Sequence, residues 1–354
     1  MKSIESKNFF FFSAFALLNI NYVTYGLLRW YNPLFYLLLI PFLLLSFDYK
    51  HCKKYYSLLL PFGVVCLLTP SSFFTFLIMY IMMGSNRFSL RSFCCFNLVS
   101  QLLILVIVFV FIQFGILAVE SISYQVGDTL RVRSDGGFGN PNIFSLFMFS
   151  FIGMIYLLIR QSYLRLMSVI ILGATVYSYT DSNTFLASIF SLLIFHIGLR
   201  TKGGRYILRK PMLYIIPGIL IAFTLYFSYK VQQYPLFDLI FSGRFSYGNV
   251  LLAKINIKDW IIGTPLVSTI TIDNAYFHLI FTSGLYWIIL FYTLYIKAVK
   301  RASPEFMDAF PFLVASLFYG LGETSFAGIS LSSGFIVWIL LFRNSFGMIS
   351  TSNQ

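Results

Sequence analysis

Arg131-Val-Arg-Ser-Asp-Gly-Gly-Phe-Gly-Asn-Pro-Asn142 is a polar, glycine-dense island between two long apolar runs at 94–118 and 141–159. Proline fixes φ and lacks the N–H that a first helical turn leaves unpaired, so Asn140 reads as an N-cap and Pro141 as the first helical residue. Gly136, Gly137 and Gly139 permit positive φ, and successive N–H groups in such a turn can form an anion-binding concavity. Arg131 and Arg133 lie just upstream, and the helix start adds a partial positive charge. Arg131, Arg133, Gly137, Gly139, Asn140 and Asn142 thus suggest a phosphate or diphosphate site. The plainer reading is a turn and cap with Arg133 paired to Asp135.

The runs flanking this island are the rule along the chain. Of 354 residues, 58% are hydrophobic and only 10% charged, with mean hydropathy +0.82. A soluble domain carries about 25% charged residues, so the composition describes a polytopic membrane protein whose helices pack in lipid. Twelve runs suit transmembrane helices: 8–28, 33–48, 55–69, 71–85, 94–118, 141–159, 164–180, 184–199, 211–229, 274–296, 309–322 and 331–346. The first lacks a small-residue cleavage site and reads as a span, not a removed signal. Cys52, Cys66, Cys94 and Cys95 offer neither a disulfide framework nor metal-ligand spacing. No P-loop, HExxH, GxSxG or internal repeat is present.

Charge orients the spans. With the N-terminus in the cytoplasm, only Arg29, Arg131, Arg133, Lys230, Arg244, Lys254 and Lys258 of the 25 basic residues fall outside. The other eighteen fall at the cytoplasmic termini and in short cytoplasmic connections, the regime of the positive-inside rule, and both termini are expected in the cytoplasm. The +13 net charge is therefore distributed by the membrane and gives no reason to expect nucleic acid. Two external connections are long, 119–140 and 230–273, and function concentrates on such loops.

In the second loop, Ser242-Gly-Arg-Phe-Ser-Tyr-Gly-Asn-Val-Leu-Leu-Ala-Lys-Ile255 has the pattern of a short interfacial amphipathic helix with Arg244 near its start. Trp260-Ile-Ile-Gly-Thr-Pro265 follows as a turn. Asp273 or Asn274 can cap the tenth span, with His278 one turn deeper on the face of Asn274. Each polar residue also has a quieter reading. Arg244 can anchor a helix to lipid phosphate, Asp273 can be only a cap, His278 can be a packed histidine, and Glu323 can be an interfacial charge. Asn97 and Gln101, four apart, suit a hydrogen bond to a neighbouring helix, and Arg200 to Lys210 is a topology signal.

Taken in order, these segments resemble the O-antigen polymerase (Wzy) and O-antigen ligase superfamily. The resemblance rests on Arg133…Gly137-Phe-Gly-Asn-Pro-Asn142, on Ser242-Gly-Arg244 with Ile261-Ile-Gly263, and on Asp273-Asn-Ala-Tyr276…Gly284-Leu285. Thr180-Asp-Ser-Asn183 is similar in place to a Ser-Arg pair of that family, with Asn183 where the arginine would stand. The match covers about residues 125–300. It implies an all-α polytopic membrane protein of about twelve spans with two long periplasmic loops, resembling GT-C-type lipid-linked glycan transferases. It further implies glycan transfer from undecaprenyl diphosphate at the periplasmic face of a bacterial inner membrane, with no cofactor, metal or nucleotide sugar. A chain-length regulator and a flippase are the implied partners beside membrane lipids. Ligases of the family usually carry His where this chain has Asp273, which favours the polymerase over the ligase; a lipid-linked oligosaccharide flippase is the rival of another class.

Lipid diphosphate is already a good leaving group, so the chemistry asks mainly for cations around developing negative charge and a held acceptor hydroxyl. Arginine suits bidentate phosphate contact. On this reading Arg133 and Arg244 bind diphosphate, and Asp273, His278 or Glu323 orients or deprotonates the acceptor hydroxyl.

Overall fold

The computed structural model describes residues 2–21, 39, 41–42, 45–46, 89–126, 129–202, 210–241, 243–264, 272–301, 303–324 and 333–346. The expected spans at 55–69 and 71–85, and most of that at 33–48, lie outside these residues. Helices stand where the other apolar runs were read. They are α1 (Lys2–Asn21), α2 (Leu90–Gln113), α3 (Pro141–Leu158), α4 (Ser162–Thr180), α5 (Asn183–Arg200) and α6 (Lys210–Tyr229). The loop helices α7 (Pro235–Ile240), α8 (Arg244–Lys254) and α9 (Ile257–Ile262) come next, followed by α10 (Ala275–Ser283), α11 (Leu285–Arg301), α12 (Pro304–Tyr319) and α13 (Ser333–Phe346). Four helices among the described residues are long and apolar enough to cross a membrane: Leu90–Gln113, Pro141–Leu158, Asn183–Arg200 and Pro211–Tyr229. The protein is a predominantly helical membrane protein.

The chain divides into two compact units, residues 1–49, 87–186 and 330–333, and residues 50–86, 187–329 and 334–354. In the first, α2 has the inside-out pattern of a helix in lipid. Asn97, Gln101, Ile104 and Val108 are buried, whereas Val99, Leu103, Val106 and Phe109 are exposed. Lipid is as apolar as these side chains, so burial follows packing and hydrogen bonding rather than hydrophobicity. Gln101 Nε2 donates to Ser150 Oγ at 2.9 Å and Asn97 Nδ2 approaches Met154 Sδ at 3.6 Å, so the pair read from its spacing does bind α2 to α3. Between α3 and α4 the chain reverses through Ile159, whose carbonyl accepts from Arg165 Nε, with that guanidinium 5.2 Å above the Tyr156 ring.

The first long loop is not irregular, and the chain is not wholly α. Strands β1 (Ser121–Val126) and β2 (Thr129–Ser134) pair antiparallel from Ser121↔Ser134 to Val126↔Thr129. Ile122, Tyr124 and Val126 alternate with polar residues, as do Leu130 and Val132, and only two residues separate the strands, which is a hairpin pattern.

In the second unit the expected tenth span is broken. Gly284 (φ +81°) separates α10 from α11. A Cβ on Gly284 would lie 2.0 Å from Ile261 O, and one on Gly263 (φ +85°) 2.8 Å from Thr282 O, so the two glycines let backbone lie on backbone. Thr264 N donates to Phe281 O at 2.7 Å, giving a carbonyl beside the break a partner. The motif fragments Ile261-Ile-Gly263 and Gly284-Leu285 thus lock onto one another. α12 is buried nearly all round, and Trp338 of α13 packs edge-on against Trp287 (5.7 Å) and Phe291 (5.4 Å) of α11. Near the start of α12, Glu305 pairs with Arg343 at 3.2 Å and Asp308 with Arg200 at 3.5 Å. Glu323 lies past its other end.

Candidate functional site

Two arginine centres stand out, one in each unit. In the first, Asn140 caps α3 as read from the sequence: its side chain accepts from Asn142 N at 2.8 Å, and Pro141 begins the helix. Gly136, Gly137 and Gly139 all have positive φ. Phe138, 2% exposed, is the plug between them, packed on Phe144 and Phe147 (5.3 and 5.0 Å) and on Ile104 and Val108 of α2. A Cβ on Gly137 would lie 2.7 Å from Ile112 Cδ1, so glycine there lets the turn settle on α2.

The N–H groups of this turn serve the turn itself. Gly136 N donates to Ser134 Oγ, Gly137 N to Asp135 Oδ1 and Phe138 N to Asp135 O. An anion would compete for them with acceptors already in place, whereas Gly139 and Asn140 are exposed at the tip. Asp135 is not the partner of Arg133. Its Oδ1 also accepts from Glu120 N at 3.0 Å, closing the base of the hairpin, and its buried Oδ2 has no partner among the described residues. Arg133 Nε donates to Thr180 O at 2.7 Å and its Nη2 to Asn142 Oδ1 at 2.5 Å. One guanidinium therefore ties β2 to the start of α3 and to the last carbonyl of α4, bringing the Thr180-Asp-Ser-Asn183 segment beside the first motif. A cation at a helix C-terminus is favourable. Both acceptors are neutral, and the charge of Arg133 has no carboxylate partner among the described residues. The side chain of Arg131 lies outside the described residues.

In the second unit, α8 starts at Arg244 after Gly243 (φ +80°), which offers no capping side chain. Asp238 supplies the cap: Oδ1 accepts from Phe245 N at 2.9 Å and Ser246 N at 3.0 Å, and Oδ2 from Ser246 Oγ. The Arg244 side chain is 6% exposed and turns back beneath the helix start. Its Nη1 donates to Phe241 O at 3.1 Å and its Nη2 to Glu323 Oε1 at 2.5 Å, while Asp273 Oδ2 stands 3.6 Å from the same Nη2. Its Nε is buried with no partner among the described residues. Glu323 is buried with it, but Asp273 remains 41% exposed.

Asn274 assembles this centre. Its Oδ1 caps α10 by accepting from Tyr276 N and Phe277 N, so the cap is Asn274 and not Asp273. Its Nδ2 donates to Leu321 O at 2.7 Å, and Ala275 N donates to Gly320 O at 2.8 Å. The turn carrying Glu323 is thereby stitched to the segment carrying Asp273. His278 follows one turn on, with buried Nδ1 lacking a partner among the described residues and no described contact with Arg244, Asp273 or Glu323. Phe138 and Asp238 were not singled out from the sequence, and Asp135 only as a partner for Arg133; the Asp-Gly-Gly signal of an Asx-turn was available for its actual role.

No family model, curated protein or solved structure matches the chain.

Proposed function

We propose that this protein is a lipid-linked glycan polymerase, joining oligosaccharide repeat units carried on undecaprenyl diphosphate in lipopolysaccharide O-antigen biosynthesis. The observation that carries the reading is the meeting of Arg244, Asp273 and Glu323. Segments singled out separately along the chain converge on one guanidinium, with one carboxylate buried against it and the other open. Such a centre suits the acceptor half of the reaction. Glu323 and Arg244 hold Asp273 in place, and Asp273 accepts the hydrogen bond of an acceptor sugar hydroxyl. The hydroxyl oxygen attacks the donor's anomeric carbon, the bond from that carbon to diphosphate oxygen breaks, and undecaprenyl diphosphate leaves with the electron pair. The hydroxyl proton passes to the Asp273 carboxylate.

Arg133 suits the diphosphate half, because neutral acceptors leave its charge available to an anion. The exposed Gly139 and Asn140 are the backbone groups assigned to assist it, with Gly137 shaping the turn and Asn142 orienting the guanidinium. His278 makes no described contact with the acidic centre, so the base role goes to Asp273. The topology proposed with this function has about twelve spans, cytoplasmic termini and a periplasmic working face. The separation of Arg200 and Arg343 from Arg244 by the length of α12 supports it.

The test is lipopolysaccharide banding from a strain lacking the gene, complemented with wild type, Arg133→Ala, Arg244→Ala or Asp273→Ala. Core bearing a single repeat unit in the deletion strain, restored to a ladder by wild type and not by Asp273→Ala, is the expected result. Loss of every repeat-bearing band would replace polymerisation by ligation or flipping.

A further inference from the structure

The last turn of α6 and the segment that follows it carry a two-layered patch of aromatic rings. Tyr226, Tyr234 and Phe237 form its outer layer, 50%, 37% and 40% exposed. Phe227 lies behind all three, with ring centroids at 5.3, 5.4 and 4.6 Å. Phe227 also meets Phe245 at 5.9 Å, and Phe245 is the buried neighbour of Arg244. Two ring contacts therefore lead from the outer layer to Phe245, the residue next to Arg244 in α8. Its polar edge is equally defined: the Tyr226 and Tyr234 hydroxyls lie 3.3 Å apart, exposed and side by side.

We infer that this surface is a subsite for the glycan chain, taking the sugar units next to the one that reacts; the inference rests on the polymerase reading. A pyranose ring has an apolar C–H face and neighbouring hydroxyls along its rim. Exposed rings beside paired hydroxyls complement both, and tyrosine offers that amphipathic contact at low entropic cost. A headgroup-level aromatic belt needs single ring tips pointing to water. It gives no reason for two hydroxyls to face each other, nor for ring contacts to run through Phe227 to the buried Phe245 beside Arg244.

The experiment uses full-length protein in phosphatidylethanolamine–phosphatidylglycerol nanodiscs. The probe is surface polysaccharide of the source strain freed from its lipid by mild acid, with binding read by saturation-transfer NMR. Wild type binds. Tyr226→Ala and Tyr234→Ala each weaken binding about 2- to 10-fold, the scale of one aromatic face contact. The double variant Tyr226→Phe/Tyr234→Phe keeps the rings and the fold and loses less. Asp273→Asn, whose amide oxygen still accepts a hydroxyl hydrogen bond, loses less binding than either alanine variant while abolishing the ladder, which separates subsite from reaction. No binding by wild type, or undiminished binding by both alanine variants, overturns the inference and leaves the polymerase reading to the banding test. Binding lost in both alanine variants from a strain whose deletion leaves its ladder intact overturns the polymerase reading alone.

Discussion

Arg133 and Arg244 occupy similar places in the sequence, each near glycine in a long loop and each close to a helix start. Their surroundings are opposite. Arg133 is half-buried and held by a backbone carbonyl and a side-chain amide, so the protein fixes its direction without cancelling its charge. Arg244 is buried between two carboxylates, and its charge is spent inside the protein. Two residues that look equally suited to an anion differ in what they can still offer one. Neutral acceptors make a cation that can receive diphosphate; acidic acceptors make a cation that holds an acid in place.

The largest effect expected from this contrast is on stability at Arg244. Removing one partner of a buried ion pair costs about 3–5 kcal/mol, because the remaining charge keeps its desolvation penalty. Arg244→Ala should therefore melt well below wild type in detergent, by nanoscale fluorimetry. The double variant Arg244→Met/Glu323→Leu, with both charges removed and volume kept, should recover most of that loss and still give no ladder. A double variant that melts no higher than Arg244→Ala would mean that Glu323 matters through something other than the pair.

A smaller effect is expected at Arg133. Its two hydrogen bonds run from a charged donor to neutral acceptors at a half-buried position, so Arg133→Ala should cost about 1–3 kcal/mol. Arg133→Lys is the sharper variant. It keeps the charge but cannot span Thr180 O and Asn142 Oδ1 as the planar guanidinium does. If Arg133 meets diphosphate, Lys should retain part of the ladder that Ala loses; equal loss in both would mean that only the bridge between α3 and α4 matters.

What was legible in the sequence divides along local and non-local lines. The Asn140–Pro141 cap and the positive φ of the loop glycines follow from neighbouring atoms, and both are present. Helix positions followed from unbroken hydropathy, but the break at Gly284 did not, because the run from 274 to 296 stays apolar across it. That break needs the backbone of Ile261 to lie against it. The hairpin was legible in its alternation and short connection, and was missed because the loop was read for its charges. The pairing of Arg244 with Glu323 joins residues 79 apart, so sequence could nominate both and could not join them. Asp273 and Asn274 were equal as caps until Leu321 O supplied an acceptor for the one side chain of the pair that has an N–H to give.

The smallest stability change should fall on the residue assigned the chemistry. Asp273 is 41% exposed and stands 3.6 Å from Arg244 Nη2, with Glu323 nearer the same atom. A half-exposed ion pair at that distance is worth at most about 1 kcal/mol, and the cap of α10 belongs to Asn274. Asp273→Asn is nearly isosteric and should melt within a degree or two of wild type, yet the amide cannot take the acceptor's proton, so the ladder should vanish. A ladder of normal length from a well-folded Asp273→Asn protein would remove the base from the proposal. The centre around Arg244 would then be only the fastening of α8 to the turn after α12, and the contrast would survive with Arg133 as its sole functional member. Loss of the ladder without loss of stability would mean the opposite. On that outcome the buried pair would be the scaffold and the open carboxylate what it presents, the desolvation of Arg244 and Glu323 serving to aim an acid that itself contributes almost nothing to the fold.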